Sequence, residues 1–188
     1  LVRIFAAHAS IALQNALTHR AVEIRAQMDA LTGLRNHGTF REELLAAVQR
    51  EEHFGLLMLD LDDFKAVNAE FGTAIGDEVL RTVAVALRSA IRSTDLAARI
   101  EGDKFTLLFP ETDKNGAKVV LETVLGRLHQ DLIRAGWPVT ASIGSVTTIE
   151  ATSPEALLRQ ADQVLYEVKK AGKAAVRAAE TGDANAAT

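Results

Sequence analysis

The sequence predicts an α/β protein in which helices pack on a mixed sheet, and three observations carry that prediction. The run from Phe54 to Phe64, FGLLMLDLDDF, is apolar, short and ends in acids, which reads as a buried strand. The stretch ARIEGDKFTLLFP sets two strand-like runs, about Asp95–Ile100 and Lys104–Phe109, around the charged tip Glu101-Gly102-Asp103-Lys104, the pattern of a hairpin. Between the strands lie helical stripes, such as Val79, Leu80, Val83, Leu87 and Ile91.

Taken in order, Leu1 to about Met28 holds neither Gly nor Pro and is rich in helix formers. Leu17, Ala21, Ile24 and Met28 follow a 4-3-4 spacing, a short coiled-coil-like seam. Thr32 and Gly33 break the helix, and a second runs from about Gly38 to Arg50. The first strand follows, then a helix over Gly76 to Arg92, the hairpin, and a helix over Asp113 to Arg134. Trp137 to Thr147 reads as a strand. Ser153 is an N-cap with Pro154 at the first helical position, and that helix runs to about Ala171 and stops at Gly172. Leu165 and Tyr166 share helical spacing with Ala161 and Val168 and read as core. The expected organisation is an N-terminal helix over 1–28, a domain over 29–177 and a disordered tail over 178–188.

Composition narrows the function classes. With 188 residues and 48% hydrophobic content the chain can bury a real core. A net charge of −4 argues against binding a nucleic-acid polymer. There are no cysteines, hence no disulfide or thiolate metal site. No apolar run approaches the roughly 18 residues that span a bilayer, and no signal peptide is visible, so a cytoplasmic protein without membrane insertion is expected. The chain opens at Leu1 within a helical pattern, as a piece of a longer protein would. The five histidines lack metal-binding spacing.

Chemistry concentrates in the acids. Asp60, Asp62 and Asp63 close the first strand, where alternation puts Asp60 and Asp62 on one face and Asp63 away from it. Facing Asp103 on the hairpin tip, they suggest a hard oxygen site of the kind Mg²⁺ takes alongside substrate phosphates, or merely a solvated strand end.

Five segments together carry a resemblance. DALTGLRNHGTF, LLMLDLDDFKAVNAEFGTAIGDEVL, ARIEGDKFTLLFP, TASIGSV and ADQVLYEVKKAGK follow the order and spacing of the GGDEF domains of diguanylate cyclases, over about Asp29 to Val176. The resemblance implies a mixed, mainly antiparallel sheet flanked by helices, similar to nucleotidyl cyclases and the polymerase palm, behind an N-terminal signalling helix. It implies condensation of two GTP into cyclic di-GMP, with Mg²⁺ and a homodimer holding one GTP per half-site. By the same resemblance, Asp60, the carbonyl of Leu61 and Asp103 are metal contacts, and Asp103 is catalytic. Asn68 and Asp77 hydrogen-bond guanine, and Lys65 and Gly102 approach the nucleotide. Lys169 and Lys173 hold the terminal phosphate, and Arg92 and Asp95 form the RxxD site that binds the product. The segment IFAAHASIALQNA is similar to the last helix of a GAF sensory domain.

The signature itself departs from the family. Its first glycine, a close-approach position, is Glu101, and its second acid is Lys104. That swap shifts the local charge by two units. At 4 Å a unit interaction is worth about 1 kcal/mol in water and about 4 kcal/mol at an effective dielectric near 20. Further departures are Ala30, His37, Ala69, Thr73 and Ala174, several of them near the nucleotide. The expectation is therefore a catalytically silent or impaired domain that binds cyclic di-GMP at Arg92 and Asp95, needs no cofactor for that, and holds Mg²⁺ weakly. The competing readings are an active diguanylate cyclase and a structural transmission domain that binds no nucleotide.

Overall fold

The computed structural model describes residues 26–50, 53–148 and 153–180. The elements are α1 (His37–Gln49), β1 (Phe54–Leu61), α2 (Phe64–Phe71), α3 (Thr73–Ala90), β2 (Leu96–Glu101), β3 (Lys104–Pro110), α4 (Lys114–Ala135), β4 (Ala141–Thr148), α5 (Pro154–Lys170) and β5 (Val176–Glu180). The sheet order is β2-β3-β1-β4-β5. The β4–β5 pair is parallel and the other pairs are antiparallel, so the sheet is mixed and mainly antiparallel, as the sequence predicts.

β1 is buried at all eight positions because helices cover both of its faces. Leu57, Leu59 and Leu61 join Phe105, Leu107 and Phe109 under α2, α3 and α4. Phe54, Leu56 and Met58 face the other way, packing with Leu108 and Val146 against Phe40 and Leu44 of α1 and Leu157 and Leu165 of α5. Asp60 continues the even-numbered series, which places it on the α5 side of the sheet.

Local chemistry sets the element ends. Asp113 and Ser153 cap α4 and α5 by accepting the amides of Gly116 and Ala156. Several boundaries differ from the expectation. The sequence reading holds no helix over Phe64–Phe71; Gly72, at φ 85° and ψ 161°, separates that short helix, α2, from α3, which begins at Thr73, not Gly76. β4 starts at Ala141 rather than Trp137, because Gly136 and Trp137 turn back to close α4, donating to the carbonyls of Ile133 and Leu132. Ala178 to Glu180 do not belong to a tail: they pair with β4 as β5. Sheet pairing at an edge overrides the weak strand propensity of alanine. Tyr166 is 52% exposed while Leu165 is buried, so the inward face of α5 runs through Leu157, Ala161, Val164, Leu165 and Val168.

The N-terminal helix expected over 1–28 and its seam positions Leu17, Ala21 and Ile24 lie outside the described residues. Met28 is inside them and has left the helix, bridging to Arg35. The loop that follows is built on Asp29. Its carboxylate accepts the Thr32 amide and hydroxyl, at 2.9 and 2.6 Å, and Gly33 takes a left-handed φ of 63°. Among the described residues no helix is long and apolar enough to cross a membrane.

Candidate functional site

The hairpin tip is tighter than the sequence suggests. Glu101 and Lys104 end the two strands and pair across them, leaving Gly102 and Asp103 as the turn. Gly102 has a φ of 51°, suited to the first central position of a two-residue hairpin loop. Arg99 braces the turn from behind: its Nε donates to the Gly102 carbonyl at 2.8 Å and its Nη1 lies 3.2 Å from Asp29. Burial pushes the Asp29 carboxyl up, but the Thr32 donors and the Arg99 guanidinium outweigh it and hold it below its ordinary value.

Beside the tip, four charges alternate in sign. Asp60 of β1 and Lys104 of β3 are register partners. Lys104 Nζ lies 3.4 Å from Asp162 of α5, and Lys169 Nζ, two turns further along α5, lies 2.6 Å from Asp60 Oδ1. Asp60 is 6% exposed. Burial pushes its carboxyl above the ordinary value, and the charge of Asp103 adds to this; Lys169 and Lys104 pull the other way without cancelling it. The Lys169 contact is close but poorly directed, so Asp60 Oδ1 has no well-aligned hydrogen bond.

The other β1 acids have separate employment. Asp62 is buried and saturated by the hydroxyls of Thr140 and Ser142, each at 2.7 Å, and by the Ala174 amide at 3.1 Å. Asp63 is exposed in a left-handed conformation at φ 55° and accepts both bonds of Lys173, at 2.7 and 2.9 Å. The Asp63 carboxylate pushes the Lys173 ammonium up. Thus both lysines that the resemblance assigns to a phosphate sit on carboxylates at the β1 end. Lys65 is exposed on the first turn of α2.

The donor set does not fit a divalent cation. Among the described residues no three acids or histidines cluster at metal-binding distances. The buried Asp60 carboxylate has an ammonium on it, and a second ammonium, Lys104, stands in the register position across from it. Asp103 and the backbone of Leu61 are adjacent, with the Leu61 amide donating to the Asp103 carbonyl at 3.4 Å, but two oxygen contacts against two cations leave the ion poorly compensated.

The corner that the resemblance assigns to guanine assembles tightly. Asn68 of α2 packs on Gly76 of α3 so closely that a Cβ there would stand 1.9 Å from Asn68 Oδ1. Asp77 follows, half-buried on the same turn. Arg92 and Asp95 form a closed turn between α3 and β2. The Arg92 amide donates to Asp95 Oδ2 at 2.8 Å, and the Asp95 amide returns a bond to the Arg92 carbonyl at 3.1 Å. Both line a cavity of about 740 Å³ with His53 and Glu111, away from the β1 end.

Two participants are missing from the sequence reading. Asp162 is recognisable only in retrospect, as the acid seven residues before Lys169 on one helix face. Arg99 gives no local signal, since its partners lie 70 residues away and across the turn.

Comparison with known proteins gives one family. The profile described as "Diguanylate cyclase, GGDEF domain" matches residues 26–175. The chain is 33% identical over 165 residues to the diguanylate cyclase DgcS of Shewanella oneidensis, covering 86% of this chain and 55% of DgcS. It is 38% identical over 180 residues to the response regulator PleD of Caulobacter vibrioides, covering 87% of this chain and 38% of PleD. It therefore spans about half or less of these relatives. Among solved structures, the coiled coil and GGDEF domain of DgcB from Caulobacter crescentus, in complex with c-di-GMP, is similar at a TM-score of 0.83 and 25% identity, covering 95% of this chain and 99% of that one.

Proposed function

Because the chain belongs to the GGDEF diguanylate cyclase domain family, we propose that it is a catalytically silent member, a signalling module that binds cyclic di-GMP through Arg92 and Asp95. The observation that carries the reading is Lys104. It puts an ammonium where the family has an acid, in register with Asp60, whose carboxylate already carries Lys169. Phosphoryl chemistry in this family needs divalent cations, and the charges at this corner oppose them. The product corner lies on another edge and keeps both its residues, so loss of one site leaves the other intact.

The test is to incubate the protein with GTP, Mg²⁺ and Mn²⁺, follow cyclic di-GMP by mass spectrometry, and titrate cyclic di-GMP by calorimetry. No product together with saturable binding is expected. Turnover that Asp103→Asn abolishes would reverse the reading in favour of an active diguanylate cyclase. That second reading draws support from the close Asn68–Gly76 packing of the guanine corner.

In this proposal residues 29–180, β5 included, form the ligand-binding domain, and the helix before it pairs in parallel with a second copy to pass on the signal of an upstream GAF-like sensor. Its seam is Leu17, Ala21, Ile24 and Met28. Light scattering of the whole chain and of a version starting at Asp29 tests this; two monomers at micromolar concentration would reject the pairing.

A further inference from the structure

α4 and the start of β4 border a groove of about 400 Å³ that shares no residue with the Arg92 cavity. Most of its lining is apolar: Leu125, Leu128 and Leu132 of α4, with Val139 and Ala141 around the start of β4. The volume lies within the usual range for small-molecule sites. Gly126 lines it too, in the interior of α4, where glycine is a poor helix former. Close packing explains Gly76 and Gly144, whose Cβ atoms would strike the Asn68 side chain and the backbone of α5. A Cβ at Gly126 would meet nothing within 4 Å, so packing gives no reason for it. The groove does, since any longer side chain at this lining position takes up its space.

The chemistry of the groove selects its occupant. Glu122, one turn before Gly126, lines it, and no lysine or arginine does. The Glu122 carboxylate makes no hydrogen bond or ion pair with another described residue. Of the other polar side chains in the lining, the Thr140 hydroxyl is spent on Asp62 at 2.7 Å, and His129 offers a ring that can lie against an aromatic body. Apolar walls with one open acid fit an apolar body that carries a single positive charge. An anion of the same shape would meet a carboxylate with no cation beside it. One wall of the groove is Ala174. Gly172, Lys173 and Ala174 take φ of 130°, 63° and 49°, so two residues with side chains are held in the left-handed region. The Ala174 amide donates to Asp62 at 3.1 Å and Lys173 pairs with Asp63. An occupant packed on Ala174 therefore braces the turn that carries Lys173.

We infer that this groove is a binding site for a small amphipathic amine, which lays its apolar body along α4 between Gly126 and Ala141 and sets its ammonium on Glu122. Its occupancy is felt at the Lys173 turn, because Ala174 is part of the wall and Lys173 is the next residue in the chain. The site stands apart from Arg92 and Asp95 and does not depend on what they bind.

The experiment follows the backbone amide resonances of the full chain by nuclear magnetic resonance, in wild type, Glu122→Gln and Gly126→Leu. The probes share one phenyl body: phenethylamine is a cation, phenethyl alcohol is neutral and hydrocinnamate is an anion. Saturable shifts are expected at Leu125 to His129, at Ala141 and at Ala174, with the Lys173 amide following and those of Arg92 and Asp95 still. The amine should bind about threefold tighter than the alcohol, the worth of one exposed ion pair, and the anion more weakly than either. Glu122→Gln should bring the amine to the level of the alcohol and leave the alcohol unchanged. Gly126→Leu should abolish binding of all three while melting no lower than wild type, because leucine is the better helix former. No saturable shift at the groove, or binding that survives Gly126→Leu, overturns the site. Equal affinity for amine and alcohol, or tighter binding of the anion, overturns the assignment to a cation. A Lys173 amide that stays still while the groove fills overturns the link to its turn alone.

Discussion

Lys169 on α5 lies 2.6 Å from Asp60 at the end of β1, so the carboxylate best placed to hold a metal carries an ammonium. Lys104 then stands in register on the other side, itself drawn toward Asp162. A corner of this kind is neutralised from within.

The first expectation follows from the sign of Lys104. Glu101→Gly with Lys104→Glu replaces a cation by an acid next to Asp60, a two-unit swing. At 4 Å each unit is worth about 4 kcal/mol at an effective dielectric near 20, so even a small share of it amounts to more than tenfold in affinity. Mn²⁺ titration followed by water-proton relaxation should show a site in the double variant and none in wild type over the same range. The stability cost should stay within about 1 kcal/mol, because the Lys104–Asp162 pair is largely exposed. Equal Mn²⁺ binding by both proteins would remove Lys104 as the deterrent.

The second concerns pH. The folded protein holds the Asp60 proton to higher pH than the unfolded chain does. Between the ordinary aspartate value and the raised folded one, the native state binds more protons, so this group's contribution to stability falls as pH rises through that window. Asp60→Asn has no such proton. Its unfolding free energy should therefore gain on wild type as pH rises, whatever the constant offset from releasing Lys169. Denaturant unfolding at a series of pH values measures the difference; parallel curves would contradict the burial argument.

Local patterns made much of this legible and long-range partners did not. β1 reads from its length and acidic end, and Ser153 reads as a cap, because those signals lie within a few residues. Asp60, Lys104 and Lys169 enter through the resemblance rather than through spacing, in separate roles, and it is the structure that brings them together at the acidic end of β1. β5 does not read from the sequence, because Val176 to Glu180 carries little strand signal and owes its form to β4. The Lys104–Asp162 and Arg99–Asp29 contacts span 58 and 70 residues, and no periodicity encodes a partner at that distance. Asp62 reads as a companion of Asp60, yet the hydroxyls of Thr140 and Ser142 consume it.

A third expectation tests how α5 is held. A Cβ at Gly144 of β4 would stand 2.4 Å from the Leu165 amide nitrogen and 2.7 Å from the Ala161 carbonyl oxygen, both backbone atoms that cannot swing aside. Gly144→Ala should cost about 1–3 kcal/mol or more by forcing α5 off the sheet, moving Asp162 and Lys169 with it. Gly126→Ala, on α4 with nothing within 4 Å, should stabilise by about 0.5–1 kcal/mol. Denaturant midpoints of the two variants measure this, and equal effects would mean that α5 yields easily.

The last expectation isolates Arg92. Its amide, not its side chain, closes the turn with Asp95 Oδ2 at 2.8 Å. Arg92→Ala keeps that bond and loses only a guanidinium with no partner among the described residues, so the fold and its melting temperature should be unchanged. Asp95→Ala lacks this virtue, since it removes the acceptor that shapes the turn and mixes a structural loss with a binding one. A guanidinium can grip a guanine edge or a phosphate with paired bonds, so Arg92→Ala should weaken cyclic di-GMP by about 1–3 kcal/mol. Calorimetry of wild type and Arg92→Ala, at matched salt because the contact is partly ionic, reads the difference directly. Equal affinities would place the ligand elsewhere, and no heat for wild type at high micromolar ligand would leave the domain without a receptor role.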